Sequence, residues 1–386
     1  MRFNHSMSNG RTSVPSVSIS VDQTNIAKGG GLDILRVVRP AWTSSEIKSK
    51  VFTDGLSNII WGFFVPSNPE DMVIIKVFGS HTGSLIDRKA EIETMMILHD
   101  RKCGAELYAT FDNGICYEFM NGSTLEVEDC AKPEVFPLVA AEMARMHSSL
   151  QNKNKNKTVL NENILSQDKN KKNGTTTTTS GMTTSPLWKK MRQFNKLAEE
   201  SMQNDASLRE RLSAVGVTPG WASGAISALH DLLTPARMPV TFCHNDLIPR
   251  NIVYNDKKKR VTFIDVEYAM PNYPAFDVAN HFLEFAGVPE LNYSKCPGKE
   301  FRLRWISEYL ANLRLDWEGG KVITEEEFNH WVDLCTPASH LFWGLWAIHQ
   351  ARHSTIQFDY VQYVGKRFAE FTKCMKTLTE EKNEKI

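Results

Sequence analysis

The chain has 386 residues, with 45 lysines and arginines against 45 aspartates and glutamates, and 41% of it is hydrophobic. That length holds two lobes or one large domain with a sizeable core, and a formal charge of zero argues against nucleic acid or an anionic membrane as an obligatory partner. The seven cysteines, Cys103, Cys116, Cys130, Cys243, Cys296, Cys335 and Cys374, are scattered, odd in number and free of any Cys-x2-Cys pair, which predicts reduced thiols in a cytoplasmic protein without a zinc site.

No apolar run reaches the ~18 residues of a membrane span, so no membrane insertion is expected. Residues 1–32 are rich in Ser, Asn and Gly and end in Gly29-Gly30-Gly31, a composition that predicts a disordered tail. Arg2, Arg11 and the absence of an acid before Asp22 also suit a transit peptide, but no amphipathic pattern supports one. Thr43-Ser44-Ser45-Glu46 resembles a capping box and predicts a short helix through Lys50.

The apolar run Ile59 to Val65 predicts a strand. Gly55, Ser57 and Asn58 before it form a loop whose backbone can approach phosphate, although an ordinary hairpin turn has the same composition. Met72 to Phe78 is a second strand, and Lys76 is its one cation. A buried lysine is costly unless paired. Kinases place such a lysine on the α/β-phosphates and pair it with a helix glutamate; the next helix, Asp87 to His99, offers Glu91 and Glu93. A solvent-facing edge position is the other reading of Lys76. Glu106 to Phe111 and Ile115 to Met120 form a hairpin across Asp112-Asn113-Gly114.

Pro133 to Leu150 carries Val135, Leu138, Val139, Met143, Met146 and Leu150 at helical spacing, with Glu142 at the polar edge and His147 in a structural place. Residues 151–185 alternate Asn and Lys, then run through Thr175 to Thr179, and predict a disordered insertion. Helix resumes at Ser185-Pro186, with Leu187, Met191, Phe194, Ala198 and Met202 on one face.

The densest chemistry follows. His244-Asn245-Asp246-Leu247-Ile248-Pro249-Arg250-Asn251 lies between the apolar runs Val240 to Cys243 and Asn251 to Tyr254, and a third run, Val261 to Ile264, ends on Asp265. Phosphoryl transfer needs an acceptor hydroxyl held in line and Mg²⁺ on the phosphates. Kinases supply these with Asp-x4-Asn and a second aspartate after a short hairpin. Asp246 and Asn251 have that spacing, and Asp265 stands where the second aspartate belongs. Asn251 and Asp265 are hard oxygen donors of the kind Mg²⁺ prefers. His-Asn-Asp alone would read as an ordinary turn; the strand-borne Asp265 makes the set a site.

Glu267 and Tyr268 follow at once. Asp277 and Glu284 sit among Phe276, Val278, Phe282 and Phe285, where an unpaired charge is expensive. Asp277 can tie the catalytic loop through backbone hydrogen bonds, and Glu284 is the better partner for a substrate ammonium. Ala338 to Gln350 reads as a buried helix with Trp343 and Trp346 on one face, which on its own is simply aromatic core. Phe358 to Phe371 is the closing amphipathic helix.

His244 to Tyr254, then Phe263-Ile264-Asp265-Val266-Glu267-Tyr268-Ala269, then Asn272 to Gly287 resemble the choline/ethanolamine kinase family, and Glu284-Phe285-Ala286-Gly287-Val288 looks closer to its ethanolamine branch. The similarity runs from about Trp42 to the last helix, broken by one insertion. It implies an α+β, two-lobe, protein-kinase-like fold: a small antiparallel-sheet N-lobe over 36–121, a large, mostly helical C-lobe over 122–380 that carries the catalytic strands, and ATP between them. It implies that Gly55, Ser57 and Asn58 cover the nucleotide phosphates, that Lys76 pairs with Glu91, and that Glu118 and Met120 meet adenine. Asp246 would orient the hydroxyl of a small amino alcohol, with Mg²⁺ on Asn251 and Asp265. Glu267, Glu284, Tyr293, Trp343, Trp346 and Tyr363 would surround the amine, since an aromatic wall with a carboxylate suits a small cation.

The activity implied is ATP-dependent phosphorylation of ethanolamine, the first step of phosphatidylethanolamine synthesis, in the cytoplasm. A choline kinase, an antibiotic phosphotransferase and a non-catalytic kinase-like scaffold are the rivals; a homodimer is compatible with the sequence. Met270-Pro271 stands where the family usually has Gly-Tyr, and Ala279 where it has Gly, which leaves the reaction class intact and fine substrate choice open.

Overall fold

The computed structural model describes residues 14–22, 26–27, 29–52, 58–79, 82–149, 185–315 and 322–384. The chain divides into two compact units, residues 1–124 with 253–267, and residues 125–252 with 268–386.

The first unit is built on a six-stranded sheet. Its strands are β1 (Ser16–Val17), β2 (Lys48–Phe52), β3 (Asn58–Val65), β4 (Asn68–Phe78), β5 (Leu107–Phe111) and β6 (Gly114–Glu118), ordered β1-β5-β6-β4-β3-β2. Among the described residues of this sheet, only β1 pairs in parallel, with β5. Side chains alternate across a strand, so Val73, Ile75 and Val77 of β4 enter the apolar core with Phe63, Phe111 and Cys116, and Lys76 faces the other way. The β5–β6 turn needs Gly114: a Cβ there would lie 2.3 Å from the Lys76 carbonyl oxygen. Two helices join this sheet, α1 (Gly30–Val38) and α2 (Arg88–Asp100). The Asp87 carboxylate caps α2 by accepting from the Lys89 and Ala90 amides, each at 3.1 Å.

A small second sheet of this unit joins β7 (Ser123–Thr124), β9 (Ile252–Asn255) and β10 (Arg260–Phe263) in the order β10-β9-β7. The hairpin that carries Asp265 therefore belongs to the sheet-bearing unit, not to the helical lobe as expected. Pairing of Ser123 with Tyr254 and the Asn255 side chain donating to the Asn121 carbonyl at 2.8 Å fasten it there.

The second unit is helical: α3 (Phe136–Ser149), α4 (Leu187–Gln203), α5 (Ala206–Ala214), α6 (Trp221–Leu233), α7 (Pro274–Leu283), α8 (Lys299–Asn312), α9 (Glu325–His353) and α10 (Tyr360–Glu384), with a two-stranded ribbon of β8 (Thr241–Cys243) and β11 (Met270–Asn272). Helix α9 begins in a capping box, Thr324 with Glu327. Every residue from Pro337 to Gln350 is buried, the polar Ser339, His340, His349 and Gln350 among them. Gly344 lets α10 come close, since a Cβ there would sit 2.0 Å from the Phe368 ring.

Three further expectations change. Residues 14–22, 26–27 and 29–32 are not a disordered tail: β1 pairs with β5, and Val17, Val21 and Ile26 are buried in the core. The sheet-bearing unit thus starts well before residue 36. The helix expected over Thr43 to Lys50 is a turn leading into β2, because Lys48–Phe52 pairs with Ile60–Phe64 of β3. The proposed insertion lies outside the described residues except for Ser185, which is buried and accepts from the Leu187 amide at 3.2 Å. Among the described residues no helix is long and apolar enough to cross a membrane.

Candidate active site

In the sheet-bearing unit the Lys76 ammonium is almost fully buried. It donates to Asp265 Oδ1 at 2.8 Å, Glu91 Oε1 at 2.9 Å and Glu267 Oε2 at 3.0 Å. Glu91 sits in the first turn of α2, and Arg88 one turn before it donates to Glu91 Oε2 at 2.7 Å and Glu267 Oε2 at 3.2 Å. The Arg88 guanidinium also lies 4.1 Å from the Phe78 ring centroid. Burial works to lower the Lys76 pKa, but Asp265, Glu267 and Glu91 outweigh it and carry the ammonium well above its ordinary value. Burial and the neighbouring Glu267 push the Asp265 carboxyl up to about 6, against the pull of Lys76. Asp265 follows β10 with φ +60°, a left-handed conformation that aspartate tolerates better than most residues.

In the helical unit, β8 delivers the loop that starts at His244. Asp277, in the first turn of α7, accepts from the His244 amide at 2.6 Å, the Asn245 amide at 2.5 Å and His147 Nε2 at 3.0 Å. His147 in turn meets the Tyr309 hydroxyl at 2.8 Å, the structural place expected for it. Asn245 takes φ +67°, and its side chain donates to the Tyr268 carbonyl at 2.9 Å while accepting from Asn272 at 2.8 Å. The Asn251 side-chain amide donates to the Asp246 carbonyl at 2.8 Å and to its carboxylate at 3.4 Å. Its amide nitrogen is thereby engaged, and its carbonyl oxygen is left as the group suited to a cation. Burial lowers the His281 pKa to about 4, so its neutral ring donates Nδ1–H to the Leu247 carbonyl at 3.1 Å.

The same unit gathers the aromatic residues. The Trp343 and Trp346 rings lie 5.5 Å apart at 79°. Trp343 donates to Asn280 Oδ1 and Trp346 to the Tyr268 hydroxyl, both at 2.8 Å. On α10, Arg367 is completely buried; it donates to Glu284 at 2.7 Å and to the Tyr363 hydroxyl at 2.9 Å. Tyr293 packs against His340 with ring centroids 5.1 Å apart.

The profile of the choline/ethanolamine kinase family matches residues 50–372. The chain is 33% identical over 376 residues to ethanolamine kinase 1 of Mus musculus, covering 96% of each chain, and 35% identical over 358 residues to ethanolamine kinase 2 of Homo sapiens, covering 92% of this chain and 83% of that one. The chain belongs to the choline/ethanolamine kinase family. An ethanolamine kinase of Plasmodium vivax superposes with a TM-score of 0.72 at 25% identity, over 88% of this chain and 84% of that one. The α+β, protein-kinase-like fold is thus shared with a solved member.

In this choline/ethanolamine kinase, several expected site residues are brought together. Lys76, Glu91, Asp265 and Glu267 form one cluster, Asp246 and Asn251 another, and Trp343, Trp346, Tyr363 and Glu284 lie among neighbouring helices of one unit. Gly55 and Ser57 fall outside the described residues, and Asn58 is described only as the first residue of β3. The Glu118 carboxylate accepts from the Glu106 amide at 3.1 Å, and Met120 follows just beyond β6. Glu267, expected beside the amine, accepts at Oε2 from Lys76 and Arg88. Glu284, expected beside a substrate ammonium, is paired with Arg367.

Arg88, Arg367, Asn245 and His281 escaped the sequence reading. Arg88 stands three residues before Glu91, and Arg367 four after Tyr363, so helical spacing was the available signal. Asn245 and His281 act through main-chain carbonyls, and nothing in the sequence marks that.

Proposed function

We propose that this chain transfers the terminal phosphoryl group of ATP to the hydroxyl of ethanolamine, giving phosphoethanolamine and ADP. The observation that carries this reading is Lys76, buried and joined to Glu91, Asp265 and Glu267. A buried cation set among hard carboxylates is what a nucleotide–metal complex requires, and a non-catalytic scaffold has no need to keep so costly a cluster. The choice of amine rests on the curated relatives, which are named ethanolamine kinases over nearly the whole length of the chain.

In this reading Asp246 orients the acceptor hydroxyl and takes its proton as the oxygen bonds to phosphorus and the bond to ADP breaks. Lys76, held by Glu91, neutralises phosphate charge. Asp265 and the Asn251 carbonyl oxygen would hold Mg²⁺, which when bound would offset negative charge on the phosphates. Trp343, Trp346 and Tyr363 give the ammonium aromatic faces. Free cysteines, with no disulfide among the described residues, support a cytoplasmic location.

The test is ADP release from ATP with ethanolamine, with choline and without acceptor. Ethanolamine should stimulate release most. Equal release in all three, or a clear preference for choline, overturns the reading.

A further inference from the structure

We infer that Arg367 is a positioning residue for the amine: it fixes the Glu284 carboxylate so that one oxygen is taken and the other is presented to the substrate ammonium. The inference rests on the ethanolamine reading above and adds to it a residue that acts through another.

Arg367 is completely buried, and Glu284 nearly so. The guanidinium Nη2 binds Glu284 Oε1 at 2.7 Å, and Nε donates to the Tyr363 hydroxyl at 2.9 Å. The guanidinium also lies 5.0 Å from the Tyr363 ring centroid. Two directions of a rigid planar fork therefore set both a carboxylate and a phenol that flank the expected amine site. Glu284 Oε1 is engaged; Oε2 has no hydrogen bond among the described residues.

Three other buried polar atoms here also have no partner among the described residues: Arg367 Nη1, the Tyr293 hydroxyl and His340 Nδ1. Burial and the Arg367 charge keep the His340 ring neutral, so it offers no competing cation. Buried polar atoms in folded proteins are nearly always paired. A group of them around one ion pair marks where the polar atoms of a small ligand, or of its water, belong.

The pairing bears on selectivity. Arg367 cancels the charge of Glu284, so the acid no longer attracts cations in general. What remains is one carboxylate oxygen at a fixed place, able to accept a directional N–H bond. A primary ammonium has such hydrogens to donate, and a quaternary one has none. Loosening Glu284 should therefore harm ethanolamine more than choline.

The experiment compares kcat/KM for ethanolamine and choline, KM for ATP and Tm in wild type, Arg367→Lys, Glu284→Gln and the double variant Glu284→Gln/Arg367→Met. Arg367→Lys keeps the charge but loses the fork. It should lower kcat/KM for ethanolamine about tenfold or more, as expected for a charged hydrogen bond, mainly through KM. Choline should change by no more than ~3-fold, and KM for ATP should hold. The double variant, which buries no lone charge, should show the same ethanolamine-to-choline ratio as Glu284→Gln alone, because Arg367 acts through Glu284.

An unchanged ratio in Arg367→Lys, a parallel rise in KM for ATP, or a double variant worse than Glu284→Gln in selectivity overturns the inference. If Arg367→Lys does not fold, the double variant decides alone. A wild-type enzyme that turns over choline but not ethanolamine, or neither amine, overturns both this inference and the function proposed above. A wild-type enzyme active on ethanolamine whose ratio ignores Arg367 overturns only this one.

Discussion

Replacing Lys76 by methionine tests the carboxylate cluster directly. The ammonium is held by three carboxylates at 2.8–3.0 Å, and the side chains of Lys76, Glu91 and Glu267 are each no more than 3% exposed. Removing one partner of a buried ion pair costs about 3–5 kcal/mol. Arg88 still faces Glu91 and Glu267 in the variant, so the uncompensated charge falls mainly on Asp265. Asp265 is a quarter exposed, and solvent screening reduces its share. With those reductions the loss is about 2–4 kcal/mol, and at roughly 2 °C per kcal/mol for a chain of this size Tm should fall by about 4–8 °C at neutral pH.

The loss should also depend on pH. Lys76 is the charge that holds the Asp265 carboxyl down, so without it that carboxyl rises above its value of about 6. An acid with a folded pKa above its unfolded one binds more protons when folded. Its destabilising effect is then fully present above the folded pKa and is relieved as pH falls through it. Thermal unfolding of both proteins in EDTA, at about pH 8 and about pH 5.5, should show the deficit of Lys76→Met shrinking at the lower pH. A variant that melts within ~2 °C of wild type at both values would mean that the cluster does not hold Lys76 as described.

Asp246→Asn should lower kcat by about 10²–10⁴, the range of general-base help, while ATP binding by calorimetry survives; near-normal turnover would remove Asp246 from the mechanism. Asp265→Asn should weaken Mg²⁺ and activity together, and an unaltered Mg²⁺ titration would count against its role as a metal donor. Asp277→Ala strands the His244 and Asn245 amides and His147, so urea unfolding should show a loss of about 3 kcal/mol or more; a loss under ~1 kcal/mol would mean the catalytic loop holds itself.

Much of this was legible in the sequence because it is local. Strand alternation in β4 set Lys76 apart from Ile75 and Val77, and a helix with an early glutamate followed it. The Asp-x4-Asn spacing and the strand before Asp265 marked the candidate segment. What failed was decided at a distance. At Thr43 the hydroxyl donates to the Glu46 carboxylate and the Glu46 amide donates to the Thr43 carbonyl at 3.0 Å, a local turn and not a capping box, and pairing of Lys48–Phe52 with β3 won over helix formation. The first 32 residues looked too polar to order, yet Val17, Val21 and Ile26 suffice to enter a core whose other wall is β5 and α1.

The acids show the same limit more sharply. Sequence marks Glu284 as costly where it is buried, but neither it nor Glu267 shows there which cation relieves it. Glu267 turned out to serve Arg88 and Lys76, and Glu284 to serve Arg367, partners 83 to 191 positions away or on another element. The two groups differ in balance. Among the described residues, Glu91, Asp265 and Glu267 face Lys76 and Arg88, which leaves an excess of negative charge, whereas Glu284 and Arg367 cancel. A cluster with spare negative charge repels a bare nucleotide and accepts a metal that arrives with one. A cancelled pair can neither attract nor repel strongly, and can only orient. The first therefore suits the phosphates with their Mg²⁺, the second a small ammonium that aromatic rings already hold, and exchanging those duties would fail on charge alone.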